Sequence, residues 1–292
     1  MPYLHALALL ALLIRPVPAA AGDCVPAGRW VEPGTRAPLA AGAVLKRAAR
    51  APAVLLGERH DEAEHHRWQL HVLAALHGLA PDLAIGLEMM PRRVQPALDR
   101  WVAGESTVAE FLEESDWEAV WGVDPGLYLP ILHFARMHGV PLVALNVERA
   151  LTRRVAAEGW AAVPQAEREG LGDPAPAPQA YLDSLAEVAA EHGPDMDPAR
   201  FVEAQLVWDR AMAEGIAAAH RNGGRPVVGI MGMGHVEHAR GVAHQLAAMG
   251  VAGTLGLLPW DATRPCGELV PGVADAVFGV APLPPDEREK GE

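Results

Sequence analysis

Short runs of apolar residues alternate along the chain with longer amphipathic segments. Five of these runs are almost continuously hydrophobic, and they cover residues 53–58, 83–88, 141–147, 226–232 and 252–258. Continuous apolar runs are typical of strands buried on both faces of a parallel sheet. Helical spacing is present over residues 61–79, 126–138, 197–220 and 235–249. The pattern therefore predicts an α/β fold, with a mostly parallel central sheet flanked by helices.

Two segments interrupt this alternation. Residues 91–125 are rich in tryptophan and are predicted to form a helical insert. Residues 163–179 are rich in proline and alanine and are predicted to form a loop, after which further helices could cover the sheet as a lid. The charged residues 284–292 predict a disordered tail. We expect a single α/β domain over residues 22–283.

The N-terminus has the features of a secretory signal peptide. An apolar run at residues 4–14 is too short to span a bilayer, and three alanines at 19–21 suit a cleavage site. Residues 1–21 are therefore predicted to be removed on export to the periplasm or the extracellular space. Asp23 stands just before Cys24, where a lipoprotein signal needs a small residue, so soluble secretion is favoured over a lipid anchor.

The composition excludes some kinds of binding partner and of membrane attachment. The chain has 292 residues, half of them hydrophobic, and a net charge of −13, which disfavours nucleic acid as a ligand. No segment after the signal has 18 consecutive apolar residues, so no transmembrane helix is expected. Cys24 and Cys266 could form one disulfide in an exported protein, and two free thiols are the alternative.

Polar side chains follow four of the predicted strands at their carboxyl ends. Glu58 and His60 follow the first strand, Glu88 the second, Asn146 the third and His235 the fourth. Ligands bind beyond the carboxyl ends of parallel strands. Each carboxylate taken alone could be a helix cap, but four strand ends that all carry such groups favour one shared site.

The helix predicted after the first strand adds polar groups near the same edge. His65 and Gln69 share its core-facing side with Leu76, one and two turns into the helix. His66 and His71 lie further round the helix and are expected to face solvent.

Gln205 and Asp209 lie one turn apart on the segment 197–220 and share an apolar face with Met212. A buried glutamine and a buried aspartate need hydrogen-bond partners. They are either a structural pair or part of the lining of the same cleft.

A glycine stands three residues before each of the two strand-end histidines. Gly57 precedes His60 and Gly232 precedes His235. A strand that turns sharply into a helix often needs either a positive φ or a residue without Cβ close to a ligand. The second segment is not a dinucleotide fingerprint, because Glu237 stands where the third glycine would be, and it is not a phosphate-binding loop, because no Gly-Lys-Ser or Gly-Lys-Thr follows.

Several segments in order resemble the ChaN family of haem-binding uptake proteins, within the Tiki/TraB/erythromycin-esterase superfamily. The resemblance spans about residues 52–258, and its segments are "LLGERHDEAEHHRWQ", "GLEMM", "WGVDPGLYLPILHFAR", "PLVALNV", "AQLVWDRAMAEGI" and "GMGHVEH". It implies haem binding in iron uptake by a dimer that holds two cofacial haems. A tyrosine would ligate iron and a histidine of the partner chain would contact a propionate.

The predicted mature chain offers two tyrosines for the ligand role that the resemblance implies. Tyr128 follows the tryptophan-rich insert, and Tyr181 follows the proline-rich loop. Tyrosinate is a known ligand of haem iron, as in catalase. A core tyrosine with a hydrogen-bonded hydroxyl is the alternative for Tyr128. The candidate partners are haem, a second copy of the chain and an outer-membrane haem-uptake system.

A hydrolase is the second functional hypothesis, since relatives in the superfamily are hydrolytic. His60, His235 and Glu88 could hold a divalent metal ion and lower the pKa of its bound water. Without a metal, a histidine could act as general base, oriented by Glu58 or Glu88. A protein that binds a small polar ligand without turnover is the third hypothesis.

Overall fold

The computed structural model describes residues 24–191, 197–261 and 264–281. The predicted signal peptide 1–21 and the predicted tail 284–292 lie outside these residues. Within the described part of the chain, no helix is both long enough and apolar enough to cross a membrane.

The described strands form one sheet in the order β2-β1-β8-β7-β3-β6-β4-β5. The strands are β1 (Trp30–Val31), β2 (Pro38–Leu39), β3 (Ala53–Glu58), β4 (Ala84–Pro91), β5 (Leu142–Asn146), β6 (Val227–Gly232), β7 (Leu255–Trp260) and β8 (Ala276–Gly279). All pairs from β8 to β5 are parallel, and the two-residue strands β1 and β2 add an antiparallel edge. The predicted mostly parallel α/β fold is confirmed.

Helices connect the strands and cover both faces of the sheet. They are α1 (Ala41–Ala48), α2 (Ala63–His77), α3 (Gln95–Ala103), α4 (Val108–Glu114), α5 (Trp117–Val120), α6 (Pro125–His138), α7 (Arg149–Glu158), α8 (Gln179–Glu191), α9 (Pro198–Arg221) and α10 (Val242–Ala248). Residues 91–125 thus hold α3, α4 and α5, while residues 163–178 are mostly irregular.

Two hydrophobic cores lie on opposite faces of the sheet. Along β3, Val54 and Leu56 belong to the core formed with α1, α2, α3 and α6. Leu55 belongs to the core on the other face, together with Ile216 of α9 and Leu246 of α10. Successive residues of a strand point to opposite faces, so a strand buried on both sides must be apolar throughout.

The helix that the sequence predicted over residues 235–249 is the main prediction that the structure contradicts. The structure has short 3₁₀ turns at Met233–His235 and Glu237–Ala239, and the α-helix begins only at Val242. His238 and Ala239 have φ values of 57° and 53°, which a continuing right-handed helix cannot contain. The right-handed helix is therefore interrupted between His235 and Val242.

A disulfide joins Cys24 to Cys266 across a sequence separation of 242 residues, with a Cα–Cα distance of 5.7 Å. It ties the segment before β1 to the turn after β7. This is one of the two arrangements that the sequence allowed.

Candidate functional site

The carboxyl ends of three adjacent strands bring together the residues of the site. Glu58 ends β3, Gly232 ends its neighbour β6, and Glu88 lies in β4 on the far side of β6. The pairing of β4 with β5 shifts register between Leu87 and Pro91, immediately around Glu88. Such irregularities re-aim side chains next to functional sites, and here the Glu88 carboxylate accepts a 2.6 Å hydrogen bond from the Gly232 amide.

The first Gly-x-x-His motif ends in a histidine held by a buried carboxylate. His60 Nδ1 lies 2.9 Å from Glu58 Oε1. The Tyr128 hydroxyl donates to the same oxygen at 2.6 Å, and Gln69 donates to Oε2 at 2.8 Å. Since a carboxylate only accepts, His60 Nδ1 is its third donor.

The second motif repeats this arrangement with residues from other elements. His235 Nδ1 lies 2.8 Å from Oδ1 of the fully buried Asp209 on α9. The Tyr181 hydroxyl donates to Asp209 Oδ2 at 2.8 Å. Each motif histidine is therefore backed by a buried carboxylate, which in turn accepts from a buried tyrosine.

Glu88 contacts both His235 and the backbone amide of Gly232 in the second motif. His235 Nε2 lies 3.4 Å from Glu88 Oε1, while Nδ1 faces Asp209. Burial alone would lower the pKa of His235, but the charges of Glu88 and Asp209 raise it to about 10. His235 is therefore an imidazolium at neutral pH, held between two carboxylates.

The pKa values of the Glu88 and Asp209 carboxylates shift in opposite directions beside the His235 cation. Burial would raise the pKa of Glu88, but the charge of His235 holds it below its usual value. Burial raises the pKa of Asp209, although His235 and Tyr181 oppose the shift. Glu88 is therefore the stronger electrostatic partner of the imidazolium.

His60 differs from His235 in its exposure. Its side chain is 40 % exposed, and its ring meets the edge of Trp121 with centroids 4.6 Å apart. Burial would lower its pKa, but the hydrogen bond to Glu58 and the charge of Glu88 raise it. The Nδ1 edge of the ring faces Glu58, which leaves Nε2 on the cleft side.

The motif glycines provide space rather than a special backbone conformation. Neither has a positive φ. A Cβ on Gly57 would lie 2.4 Å from Leu258 Cδ2. A Cβ on Gly232 would lie 3.3 Å from His60 Nε2. The second glycine therefore leaves room beside the first histidine.

Both tyrosines predicted as iron ligands lie inside the protein. Tyr128 and Tyr181 are 1 % and 4 % exposed, and each donates its hydroxyl to a carboxylate. Burial, the nearby carboxylate charges and these hydrogen bonds all raise the pKa of both hydroxyls above the usual value. In this arrangement neither tyrosine can ligate iron without first losing its hydrogen bond and its packing.

The predicted metal site at His60, His235 and Glu88 is not supported. Among the described residues, no group of three or more histidine, cysteine or acidic side chains is placed to hold a metal ion. The reason lies in His235, because both of its nitrogens face carboxylates.

The structure places three other residues that were predicted for the site in three different environments. Asn146 donates to the Glu88 carbonyl at 2.9 Å and so lies in the cleft. His65 is buried, accepts from the Arg59 amide at 2.9 Å, and lies behind the His60 loop. Gln205 is half-buried and contributes no hydrogen bond to the network within the described part of the chain.

His66 was expected to face solvent, and that prediction is wrong. It is 3 % exposed, its Nε2 lies 3.0 Å from the His60 carbonyl, and its Nδ1 lies 3.3 Å from Glu58 Oε2. The first turn of α2 lies beneath the strand end and packs against α6, so it is buried over more of its circumference than one apolar stripe indicates.

Two adjoining cavities open at this edge of the sheet. One has about 520 Å³ and is lined by Glu58–Asp61 and Gly232–His235. The other has about 150 Å³, and Trp121, Trp208 and Glu88 are among the residues that line it. The larger volume lies within the range of about 300–1,000 Å³ that is typical of small-molecule sites.

Comparison with solved structures shows the fold. The chain is similar to a structure described as cofacial heme binding to ChaN of Campylobacter jejuni, at 17% identity and a TM-score of 0.68, covering 85% of this chain and 95% of that one. Weaker similarities exist to the type III effector HopBA1 (14% identity, 91% and 100% coverage, TM-score 0.49) and to a mutant of the erythromycin esterase EreC (15% identity, 75% and 72% coverage, TM-score 0.47).

A sequence search of curated proteins finds no match. The family model described as haem-binding uptake, Tiki superfamily, ChaN matches residues 44–246. This match covers more than half of the chain and includes both Gly-x-x-His motifs with their carboxylates. The chain therefore belongs to the ChaN family of haem-binding uptake proteins in the Tiki superfamily.

Proposed function

We propose that this protein is exported, binds haem in the strand-end cleft and acts in haem or iron uptake. The family supports haem as the ligand. The observation that carries the location is the lining of the two adjoining cavities, which combines flat aromatic surface with cationic and hydrogen-bonding groups at the rim.

The apolar part of the cleft suits a flat ring. Trp121 and Trp208 line the smaller cavity, and Met233 lines the larger one. Trp121 touches His60 edge-on, and Trp208 meets His235 with ring centroids 6.3 Å apart. The Trp208 indole N–H is buried and has no hydrogen-bond partner among the described residues. A buried donor of this kind is costly unless it is satisfied.

Arginines surround the opening and suit the two propionates of haem. Arg149 lines the smaller cavity, is exposed, and forms no side-chain ion pair within the described residues. Arg93 lies beside it but already pairs with Glu148 at 2.8 Å. A guanidinium binds a carboxylate through two parallel hydrogen bonds, so Arg149 is the arginine that stays available for this role among the described residues that line the smaller cavity.

A hemin titration with two matched variants tests this proposal. We expect wild-type protein to bind hemin with a defined stoichiometry and an absorption spectrum distinct from free hemin. Arg149→Glu should bind more weakly, whereas Arg153→Glu, one turn further along α7 and also exposed, should bind like wild type. A wild-type spectrum identical to free hemin would contradict the proposal.

Separate experiments test the proposed export, haem uptake and dimerisation. Mass spectrometry of protein from the native cell should show a mature chain that lacks residues 1–21. Deletion of the protein should slow growth when hemin is the iron source, but not when an iron salt is. Sedimentation of the hemin complex should show a dimer if two chains share cofacial haems.

One observation favours hydrolysis as a second candidate function. His60 is accessible, and its Nδ1 is fixed on the buried Glu58, which is the arrangement of a general base and its orienting carboxylate. Panels of esters and peptides test this, with His60→Ala as the variant. Turnover by wild-type protein that His60→Ala abolishes supports hydrolysis, and absence of turnover on the panels argues against it.

A further inference from the structure

We propose that His77 and His138 form a second binding site, which takes a divalent transition-metal ion such as Cu²⁺ or Zn²⁺. His77 is the last residue of α2, and His138 is the last residue of α6. The centroids of their imidazole rings lie 4.8 Å apart. The site is independent of the proposed haem cleft, because it lies at the opposite edge of the sheet.

Chain topology separates the histidine pair from the strand-end cleft. α2 follows the carboxyl end of β3 and leads to the amino end of β4, while α6 leads to the amino end of β5. Both helices pack against the same face of the sheet. Since β4 and β5 are parallel neighbours, the C-termini of both helices lie at the amino edge of the sheet, and the cleft lies at the carboxyl edge.

The separation of the two rings suits a shared metal ion. Metal–nitrogen distances of about 2.0–2.1 Å and near-tetrahedral angles place the centroids of two ligating imidazoles roughly 5 Å apart. The rings of His77 and His138 have centroids 4.8 Å apart and are inclined by 47°. Phe134, one turn before His138, packs against both rings at 5.7 Å and 4.7 Å and so holds them side by side.

The imidazoles of the pair have no other interaction that uses their nitrogens. Within the described residues, neither ring takes part in a hydrogen bond or an ion pair, and His138 is exposed while His77 is half-buried. By contrast, His65, His66 and His235 each form a hydrogen bond at the strand-end site. Imidazole nitrogens are ligands that suit zinc, copper and nickel ions, so the pair is chemically available to such an ion.

The ends of the two helices favour a cation beside the histidines. The C-terminus of an α-helix carries a partial charge of about −0.5, which acts on groups in the last turn. Two such ends, of the 15-residue α2 and the 14-residue α6, meet at this pair. Arg136, in the last turn of α6, is engaged by the carbonyls of Gly104 and Ser106. The helix ends therefore add to the attraction that the two imidazoles have for a metal ion.

The pair provides two of the ligands that a metal ion needs. Among the described residues, no three or more histidine, cysteine or acidic side chains are grouped to hold a metal ion, so water completes the coordination. Affinity for nitrogen ligands rises along the first-row divalent metals to Cu²⁺ and is lower for Zn²⁺. We therefore expect one ion per pair, with Cu²⁺ bound more tightly than Zn²⁺.

Calorimetric titration of tag-free, haem-free protein with ZnCl₂ tests the site. We expect saturable binding of one Zn²⁺ per chain. His77→Ala and His138→Ala should each lose this binding, because a single imidazole cannot chelate the ion. His71→Ala and His133→Ala are the matched controls and should bind like wild type, since each removes an exposed histidine that packs against a single aromatic ring.

His138→Phe separates metal binding from ring packing. Phenylalanine keeps an aromatic ring beside His77 and Phe134 but has no nitrogen that can ligate. The variant should therefore have the circular dichroism spectrum of wild type and still lose Zn²⁺ binding. In the Cu²⁺ complex of wild type, electron paramagnetic resonance should show coupling to two histidine nitrogens that ¹⁵N-histidine labelling alters, and His138→Phe should lack this two-nitrogen pattern.

Three results would overturn the proposal. They are the absence of saturable Zn²⁺ binding to wild type, binding that persists in both alanine variants of the pair, and binding that needs only one of the two histidines. The proposed haem function is tested separately, because His138→Phe should bind hemin like wild type. Failure of hemin binding in wild type would leave the Zn²⁺ result of the histidine pair unchanged.

Discussion

Replacing Glu88 by glutamine should reveal how strongly the site depends on the His235 imidazolium. Glutamine keeps the shape of the side chain and an oxygen that can accept from the Gly232 amide, but it removes the charge that lies 3.4 Å from His235 Nε2. The variant therefore isolates the electrostatic contribution of the pair.

The expected magnitude follows from the pKa of His235. Raising that pKa from 6.5 to about 10 corresponds to about 5 kcal/mol of stabilisation, at about 1.4 kcal/mol per pH unit. Two carboxylates, Glu88 and Asp209, share this effect. About 4 kcal/mol of this remains at pH 7, and we therefore expect Glu88→Gln to lower the free energy of unfolding at that pH by about 2 kcal/mol, roughly half of what remains.

The pH dependence has a definite sign. Because the folded-state pKa of His235 is raised, its contribution is fully present below pH 6.5 and is lost as the pH rises through about 10. Wild-type stability should therefore fall between pH 7 and 10, and Glu88→Gln should show a smaller fall. Lys46 and Lys290 are the only lysines in the sequence, so few ordinary groups titrate in this window.

Urea denaturation of the haem-free protein at several pH values measures both effects, and NMR titration of the His235 ring gives its pKa directly. Glu114→Gln is the matched control, since it breaks an exposed pair with Arg100 and should cost at most about 1 kcal/mol. A His235 pKa near 6.5 in wild-type protein, or identical pH dependence in wild type and Glu88→Gln, would refute the reasoning.

Three further changes have expected effects on the free energy of unfolding, measurable by urea or thermal denaturation. Tyr181→Phe leaves the buried Asp209 carboxylate without one donor and should cost about 1.5–3 kcal/mol; an unchanged stability would show that this hydrogen bond is replaced. Cys24→Ser with Cys266→Ser should cost about 2–5 kcal/mol, and a reducing agent should lower the wild-type Tm but not that of the double variant. Gly57→Ala forces a methyl group against a leucine of β7 and should cost about 1–3 kcal/mol; full stability would mean that the strands shift apart.

The sheet was predictable from sequence because its strands are buried on both faces. Burial on two sides requires an unbroken apolar run, and β3 coincides with the predicted run at residues 53–58. The edge strands β1 and β2 were not predicted, since two residues are too short to show a period. The helix predicted to begin at 235 is absent because local spacing does not reveal the positive φ values at His238 and Ala239.

The carboxylates and histidines of the site were predictable because chain topology places them together. Glu58, Glu88 and His235 follow adjacent parallel strands, so the α/β pattern alone predicts their proximity. The partners of Tyr128 and Tyr181 could not be predicted, because Glu58 is 70 residues from Tyr128 and Asp209 lies on a different helix from Tyr181. Their role as donors to buried carboxylates depends on tertiary packing.

The groups at the cleft opening were missed for the same reason. Arg149 begins α7, three residues after β5 ends, but no motif marks it, and Trp208 lies in the middle of α9, away from any strand end. An unpaired indole N–H or guanidinium is visible only when the neighbours of each group are known. The Gly-x-x-His spacing signalled the site, but not which histidine is accessible.

The position of bound haem is the most direct test of this account. Ferric haem broadens NMR signals close to iron, and the indole N–H signals of tryptophan are resolved from the backbone. On addition of hemin we expect the Trp121 and Trp208 indole signals to disappear, while that of Trp30 on β1, at the other side of the sheet, persists. Loss of the Trp30 signal with retention of the two cleft signals would contradict haem binding at the strand ends.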